Sequence, residues 1–158
     1  MAEVSAEAVI RGLSAASRFL VAAESCTAGL VADLLARVPG ASRVFWGSFV
    51  SYTVNAKERM LGIDPELIRR FGAVSRETAE AMARGALARS GADLAVAVTG
   101  LAGPGGDGTS VPAGTVWIAV ARQGGEGEAA VFRYAGSRNE VRAFAASEAL
   151  GMLLRHIN

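Results

Sequence analysis

Serine, tyrosine and threonine stand in this chain at the polar ends of apolar runs, where side chains that transfer acyl groups and protons are commonly presented, and the one lysine follows five residues after the tyrosine. The run Phe19-Leu20-Val21-Ala22-Ala23 leans toward β structure and empties into Glu24-Ser25-Cys26-Thr27-Ala28-Gly29, after which an apolar helical pattern starts. Strand, tight turn and helix start together gather unpaired N–H groups and the positive end of a helix dipole, a setting that can hold an anion or an oxyanion. Ser25 at this corner reads either as a nucleophile or as a helix N-cap. Cys26 competes for the nucleophilic role, although a lone small cysteine is more often a core residue.

A serine nucleophile needs a base. The one histidine, His156, is two residues from the end of the chain, where a segment frays; it reads as a solvated helix-end residue. Lysine is the alternative, because burial or a neighbouring charge lowers its pKa toward neutrality. Lys57 is the only lysine among sixteen basic residues, and the fifteen arginines do not act as bases in water. Against that stands a solvated position on a short helix. Tyr52 closes the aromatic and β-branched run Val44 to Tyr52 and either packs locally or relays a proton between Ser25 and Lys57.

The apolar run Leu94 to Val98 ends in Thr99-Gly100-Leu101-Ala102-Gly103-Pro104-Gly105-Gly106-Asp107-Gly108. This stretch matches neither a P-loop nor a dinucleotide fingerprint. It is either a long loop or an anion nest that a ligand approaches closely for want of side chains. No Cys/His cluster has zinc-ligand spacing and no calcium loop is present.

These residues need elements to position them. An opening helix carries Ala6, Val9, Leu13 and Ala16 on one face and ends near Arg18; a second runs from Ala28 to Val38, stopped by Pro39-Gly40. Val44 to Tyr52 is a strand with Gly47 as its bulge. Asn55 is expected to cap a short helix carrying Lys57, and Asp64-Pro65 to open another. Ser75 caps Arg76 to Ser90, and Gly91 ends that helix. Strands Thr115 to Arg122 and Glu128 to Tyr134 form a hairpin, and Ser137 with Glu140 has capping-box spacing before the last helix. Helices alternating with buried strands give an α/β fold, a three-layer α/β/α sandwich with a mixed sheet of about five strands. Ser25, Tyr52 and Thr99, each closing a strand, would then converge beyond the carboxyl edge of the sheet.

Composition narrows the function classes. With 158 residues, 51% apolar and 20% charged, residues 1–158 are expected to form one domain. A net charge of +1 without a basic stripe argues against nucleic acid. A single cysteine fits a reducing compartment, Glu3 and Glu7 do not suit a signal peptide, and no run approaches the length of a membrane span. The expectation is a cytoplasmic protein without a membrane partner.

Ala23-Glu24-Ser25-Cys26-Thr27-Ala28-Gly29, Val38-Pro39-Gly40-Ala41-Ser42, Val50-Ser51-Tyr52 with Lys57, Gly72-Ala73-Val74-Ser75, Thr99 to Gly106 and Pro112-Ala113-Gly114-Thr115-Val116 together resemble the CinA C-terminal domain family, in the family's order and over nearly the whole chain. The resemblance implies hydrolysis of the carboxamide of nicotinamide mononucleotide to the acid and ammonia, with no metal and no organic cofactor. Ser25 would be the nucleophile, Lys57 and Tyr52 would handle its proton, and Thr99 would add a hydroxyl. Glu24, Cys26, Thr27, Gly29, Gly100, Ala102, Gly103 and Pro104 would line the substrate site, with backbone N–H groups around Ser25 to Thr27 facing the oxyanion. Arg138 or Arg142 would meet the ribose and phosphate. A homodimer is implied, as is the stand-alone form of a domain often fused behind a larger one; a non-catalytic nucleotide-binding or competence-associated interaction domain is the alternative function. Three departures stand out. Thr53-Val54-Asn55-Ala56 replaces the family's usual Ser-Asn-Glu-Ala, Val111 stands where many members carry lysine, and Ala28 replaces a frequent glycine, harmlessly if that position is helical.

Overall fold

The computed structural model describes residues 6–157. Its strands are β1 (Leu20–Glu24), β2 (Phe45–Val50), β3 (Leu94–Gly100), β4 (Thr115–Arg122) and β5 (Glu128–Arg133). They form one sheet in the order β2-β1-β3-β4-β5, in which β1 runs parallel to β2 and β3 while β4 is antiparallel to β3 and β5. The helices are α1 (Ala6–Ala16), α2 (Leu30–Ala36), α3 (Val54–Leu61), α4 (Pro65–Phe71), α5 (Arg76–Ser90) and α6 (Arg138–His156). Those on one face, α1, α2 and α6, share a core with Val96, Val98, Val116 and Ile118; on the other, α3, α4 and α5 pack with Ala95, Ala97 and Ala119. That alternation is the two-residue period of a strand covered on both sides. The fold is the three-layer α/β/α sandwich with a mixed sheet.

The caps follow the sequence closely. Asp64, Ser75 and Ser137 accept the N–H groups of Glu66, Thr78 and Glu140, and the Ser137–Glu140 box is complete. Gly47 marks a bulge, since Val21 pairs with Gly47 while Leu20 pairs with Phe45, leaving Trp46 as the extra residue. Three expectations change. Thr53 rather than Asn55 caps α3, its hydroxyl accepting from Ala56 N at 3.1 Å, which puts Asn55 inside the helix. β2 stops at Val50, because after the bond from Ser51 N to Glu24 O at 2.8 Å the next carbonyls turn toward a side chain. His156 is docked instead of solvated: its Nε2 lies 2.8 Å from Glu128 Oε2, and Arg155 meets the same carboxylate at 3.0 Å. These two contacts hold the Glu128 carboxyl below its usual range.

Close helix packing sets where Lys57 stands. Alanines dominate the contact of α5 with the sheet, among them Ala79, Ala83, Ala86, Ala95 and Ala97, so the helix lies low on the strands. At Gly85 a Cβ would fall 2.3 Å from Leu61 O, so only glycine lets the end of α3 rest against α5. Gly85→Ala therefore loses stability despite a helix-propensity gain of about 1 kcal/mol, by roughly 1–3 kcal/mol net in urea denaturation, and displaces the helix that carries Lys57.

Candidate active site

Each chemical side chain stands at the carboxyl end of a parallel strand or on the segment that follows it. Ser25 succeeds β1, its N–H donating to Val98 O at 2.9 Å. Ser51 and Tyr52 follow β2, Thr99 and Gly100 end β3, and α3 brings Lys57 back over the strand ends. The Lys57 amine, 1% exposed, lies 2.7 Å from Ser25 Oγ, 3.0 Å from Ser51 O and 3.3 Å from Tyr52 O. Burial lowers its pKa to about 8, with the field of Cys26 opposing.

This surrounding decides what the amine can do. The two carbonyls only accept, so each must face an N–H; the third position then faces Ser25 Oγ. In the neutral amine that third position is the lone pair, aimed at the serine proton. In the ammonium form it is an N–H, and the Ser25 hydroxyl can donate to Tyr52 O, 3.3 Å away. The Lys57 amine and the Ser25 hydroxyl are both satisfied in either protonation state, as a proton-shuttling pair requires.

A cavity of about 270 Å³ opens over this pair. Of the residues expected to form the site, Ser25, Cys26, Tyr52, Lys57, Thr99, Gly100, Ala102 and Arg138 line it; Val54, Ala73, Val74, Leu101 and Asp107 complete the wall. Cys26 is buried and its thiol is pushed up to about 11, so it packs as a protonated core group. Gly100 has no room for a side chain, since a Cβ would lie 2.8 Å from Val116 Cγ2 and 3.1 Å from Cys26 Sγ. Thr99 Oγ1 donates to Ala73 O at 2.7 Å, joining the end of β3 to the segment before α5.

Tyr52 contributes its carbonyl, and no hydrogen bond joins its phenol to Ser25 or Lys57. The hydroxyl instead accepts from Arg138 Nη2 at 2.7 Å, while Arg138 Nη1 holds Gly103 O at 2.9 Å. Gly103 and Pro104 lie outside the cavity lining, as do Glu24, Thr27, Gly29 and Arg142. Arg142 donates from Nε to Cys26 O and from Nη2 to Thr27 O, both at 3.0 Å.

Glu24 has a task the sequence did not reveal. Wholly buried, its carboxylate accepts the N–H groups of Gly29, Val31 and Ala32 at 3.0 Å and the Ser48 hydroxyl at 2.9 Å. It thereby occupies the start of α2, so the capping role considered for Ser25 falls to Glu24. The helix begins at Leu30, later than the expected Ala28, because Ala28 and Gly29 both take positive φ, 48° and 98°. Ala28 is thus not helical, and a Cβ at that angle is strained.

The CinA C-terminal domain family model matches residues 2–157. The chain belongs to that family. A CinA-like protein of Akkermansia muciniphila is 49% identical over 84% of this chain and 32% of its own length; one from Myxococcus xanthus is 43% identical over 98% and 37%. The chain spans about a third of the length of these curated relatives. The solved competence/damage inducible protein from Agrobacterium tumefaciens superposes with a TM-score of 0.91 at 43% identity, over 95% of this chain and 92% of that one. For a CinA superfamily protein from Escherichia coli the values are 0.93 and 34%, over 99% and 92%. Among the described residues no helix is long and apolar enough to cross a membrane, and no cluster of three His, Cys, Asp or Glu could hold a metal.

Two substitutions at the corner should move stability in opposite directions in urea denaturation. Glu24→Gln, which turns an amide N–H₂ toward backbone donors, costs about 2 kcal/mol. Ala28→Gly, which relieves the left-handed strain at an exposed position, gains about 0.5–1 kcal/mol.

Proposed function

We propose that the chain hydrolyses the carboxamide of nicotinamide mononucleotide to nicotinic acid mononucleotide and ammonia. The observation that carries this reading is the 2.7 Å contact between Ser25 Oγ and a buried Lys57 amine whose pKa is lowered to about 8. Neutral Lys57 takes the serine proton as Ser25 Oγ bonds to the carboxamide carbon, giving a tetrahedral adduct. The Lys57 ammonium returns that proton to the nitrogen as the C–N bond breaks, ammonia leaves, and an ester to Ser25 remains. Water then attacks the ester carbon, giving its proton to Lys57, which passes it to the departing Ser25 Oγ. No third proton carrier is required, and Tyr52 serves through its carbonyl and as part of the wall.

The adduct oxygen needs donors. From Ser25 to Ala32 the N–H groups go to Val98 O (Ser25), Ser25 O (Ala28), Thr27 O (Leu30) and the Glu24 carboxylate (Gly29, Val31 and Ala32). Those of Cys26 and Thr27 have no acceptor in another residue among the described ones, and they are the oxyanion donors of this reading, each worth about 3 kcal/mol in the transition state. Arg138, already in the cavity wall, is the candidate for the ribose and phosphate.

Ammonia release from nicotinamide mononucleotide tests the reading. Ser25→Ala abolishes it, and Lys57→Met lowers kcat by about a thousandfold. Below pH 8 Lys57 is protonated and cannot accept the serine proton, so kcat/KM falls by about tenfold per pH unit on the acid side of an apparent pKa near 8. Tight binding of the nucleotide without ammonia release would instead favour a non-catalytic nucleotide-binding domain.

A further inference from the structure

Arg142 reaches from α6 to a segment of the chain more than a hundred residues away, yet it forms no ion pair with a carboxylate among the described residues. Its Nε donates to Cys26 O and its Nη2 to Thr27 O, each at 3.0 Å, and Nη1 donates to Asn139 Oδ1 at 3.1 Å. The planar fork of a guanidinium can meet two successive carbonyls at once, which an ammonium cannot do in one fixed geometry. The two acceptors belong to the peptide groups Cys26–Thr27 and Thr27–Ala28, immediately after the serine.

In a trans peptide the N–H points opposite to the C=O. Fixing the Cys26 carbonyl therefore fixes the direction of the Thr27 N–H, and fixing the Thr27 carbonyl fixes that of the Ala28 N–H. The latter closes a turn onto Ser25 O at 3.0 Å. The former has no acceptor among the described residues. A cation on the carbonyl side of an amide also polarises it and strengthens the N–H as a donor. Just after this turn, Glu24 holds the N–H groups of Gly29, Val31 and Ala32, so the backbone between the two clamps has little freedom.

We infer that Arg142 is a positioning residue for catalysis: it aims and polarises the Thr27 N–H toward the oxyanion formed on Ser25, and it does not bind the substrate's phosphate. The inference rests on the reading of Ser25 as nucleophile. Two other roles make different demands. A phosphate contact raises KM for the nucleotide and leaves its phosphate-free nucleoside untouched. A plain tether between α6 and the loop lowers melting temperature while each folded molecule keeps its kcat.

The test compares wild type, Arg142→Met and Arg142→Lys in three measurements: kcat and KM on nicotinamide mononucleotide and on nicotinamide riboside, thermal melting, and the rate at which a small fluorophosphonate labels Ser25, followed by mass spectrometry. Arg142→Met should lower both kcat and labelling by about thirtyfold, with KM within about twofold on either substrate, as expected for a weakened oxyanion donor. Arg142→Lys keeps the charge without the fork and should fall between the two. Wild-type kcat and labelling in Arg142→Lys and Arg142→Met overturn the inference, as does a KM increase confined to the nucleotide. If Arg142→Met does not fold, a wild-type kcat in Arg142→Lys alone overturns it. Wild-type protein that neither turns over nor is labelled overturns the Ser25 reading itself.

Discussion

An amine removed from water must find a partner for each of its polar positions, and Lys57 has three: two backbone carbonyls and one hydroxyl. The carbonyls belong to Ser51 and Tyr52, so the end of β2 bends instead of continuing as a strand. The hydroxyl belongs to Ser25, so the corner after β1 must hold its Oγ 2.7 Å from the amine that α3 carries. Any shift of β1, β2 or α3 relative to the others leaves a buried polar group unmatched, which costs on the order of 1–3 kcal/mol. Burial also holds the amine near neutrality, so the contact that ties the elements together is the one that makes lysine a base.

The rest of the corner is organised around keeping that contact rigid. Glu24 satisfies three N–H groups at the start of α2 from beneath, and Arg142 takes two carbonyls of the same loop from α6. The opposite charges thus act on opposite ends of the backbone dipoles. Glycine at positions 85 and 100 serves the same end, since a methyl group there would push α3 from α5 or Cys26 from β3.

Much of this was legible in the sequence because it is local. Apolar runs, helical spacing, capping residues and the Pro-Gly and Gly stops pointed to the sandwich and its element order, and the single lysine among fifteen arginines pointed to Lys57 once histidine was out of reach. The misreadings arose where the partner is distant or the backbone angle unusual. Glu24 precedes the corner yet caps a helix that starts six residues later, a wrap that ordinary cap spacing does not signal. Ala28 carries no sequence mark of its positive φ. Tyr52 is joined to Lys57 through its carbonyl, which any residue would supply, and its hydroxyl turns to Arg138, 86 residues away. The family resemblance offered Arg142 beside Arg138 for the ribose and phosphate; only the fold shows that Arg142 donates to two backbone carbonyls.

Because the chain contains a single lysine, the state of its base can be read without interference from any other. Protein grown on lysine labelled with carbon-13 at Cε gives one lysine signal, whose chemical shift can be followed from pH 5 to pH 11. A midpoint near 8 is the expected result, moving when Ser25 is replaced by alanine. A midpoint at or above the usual lysine value, about 10.4, would contradict the account, because Lys57 would then be a fixed cation unable to take the serine proton at neutral pH.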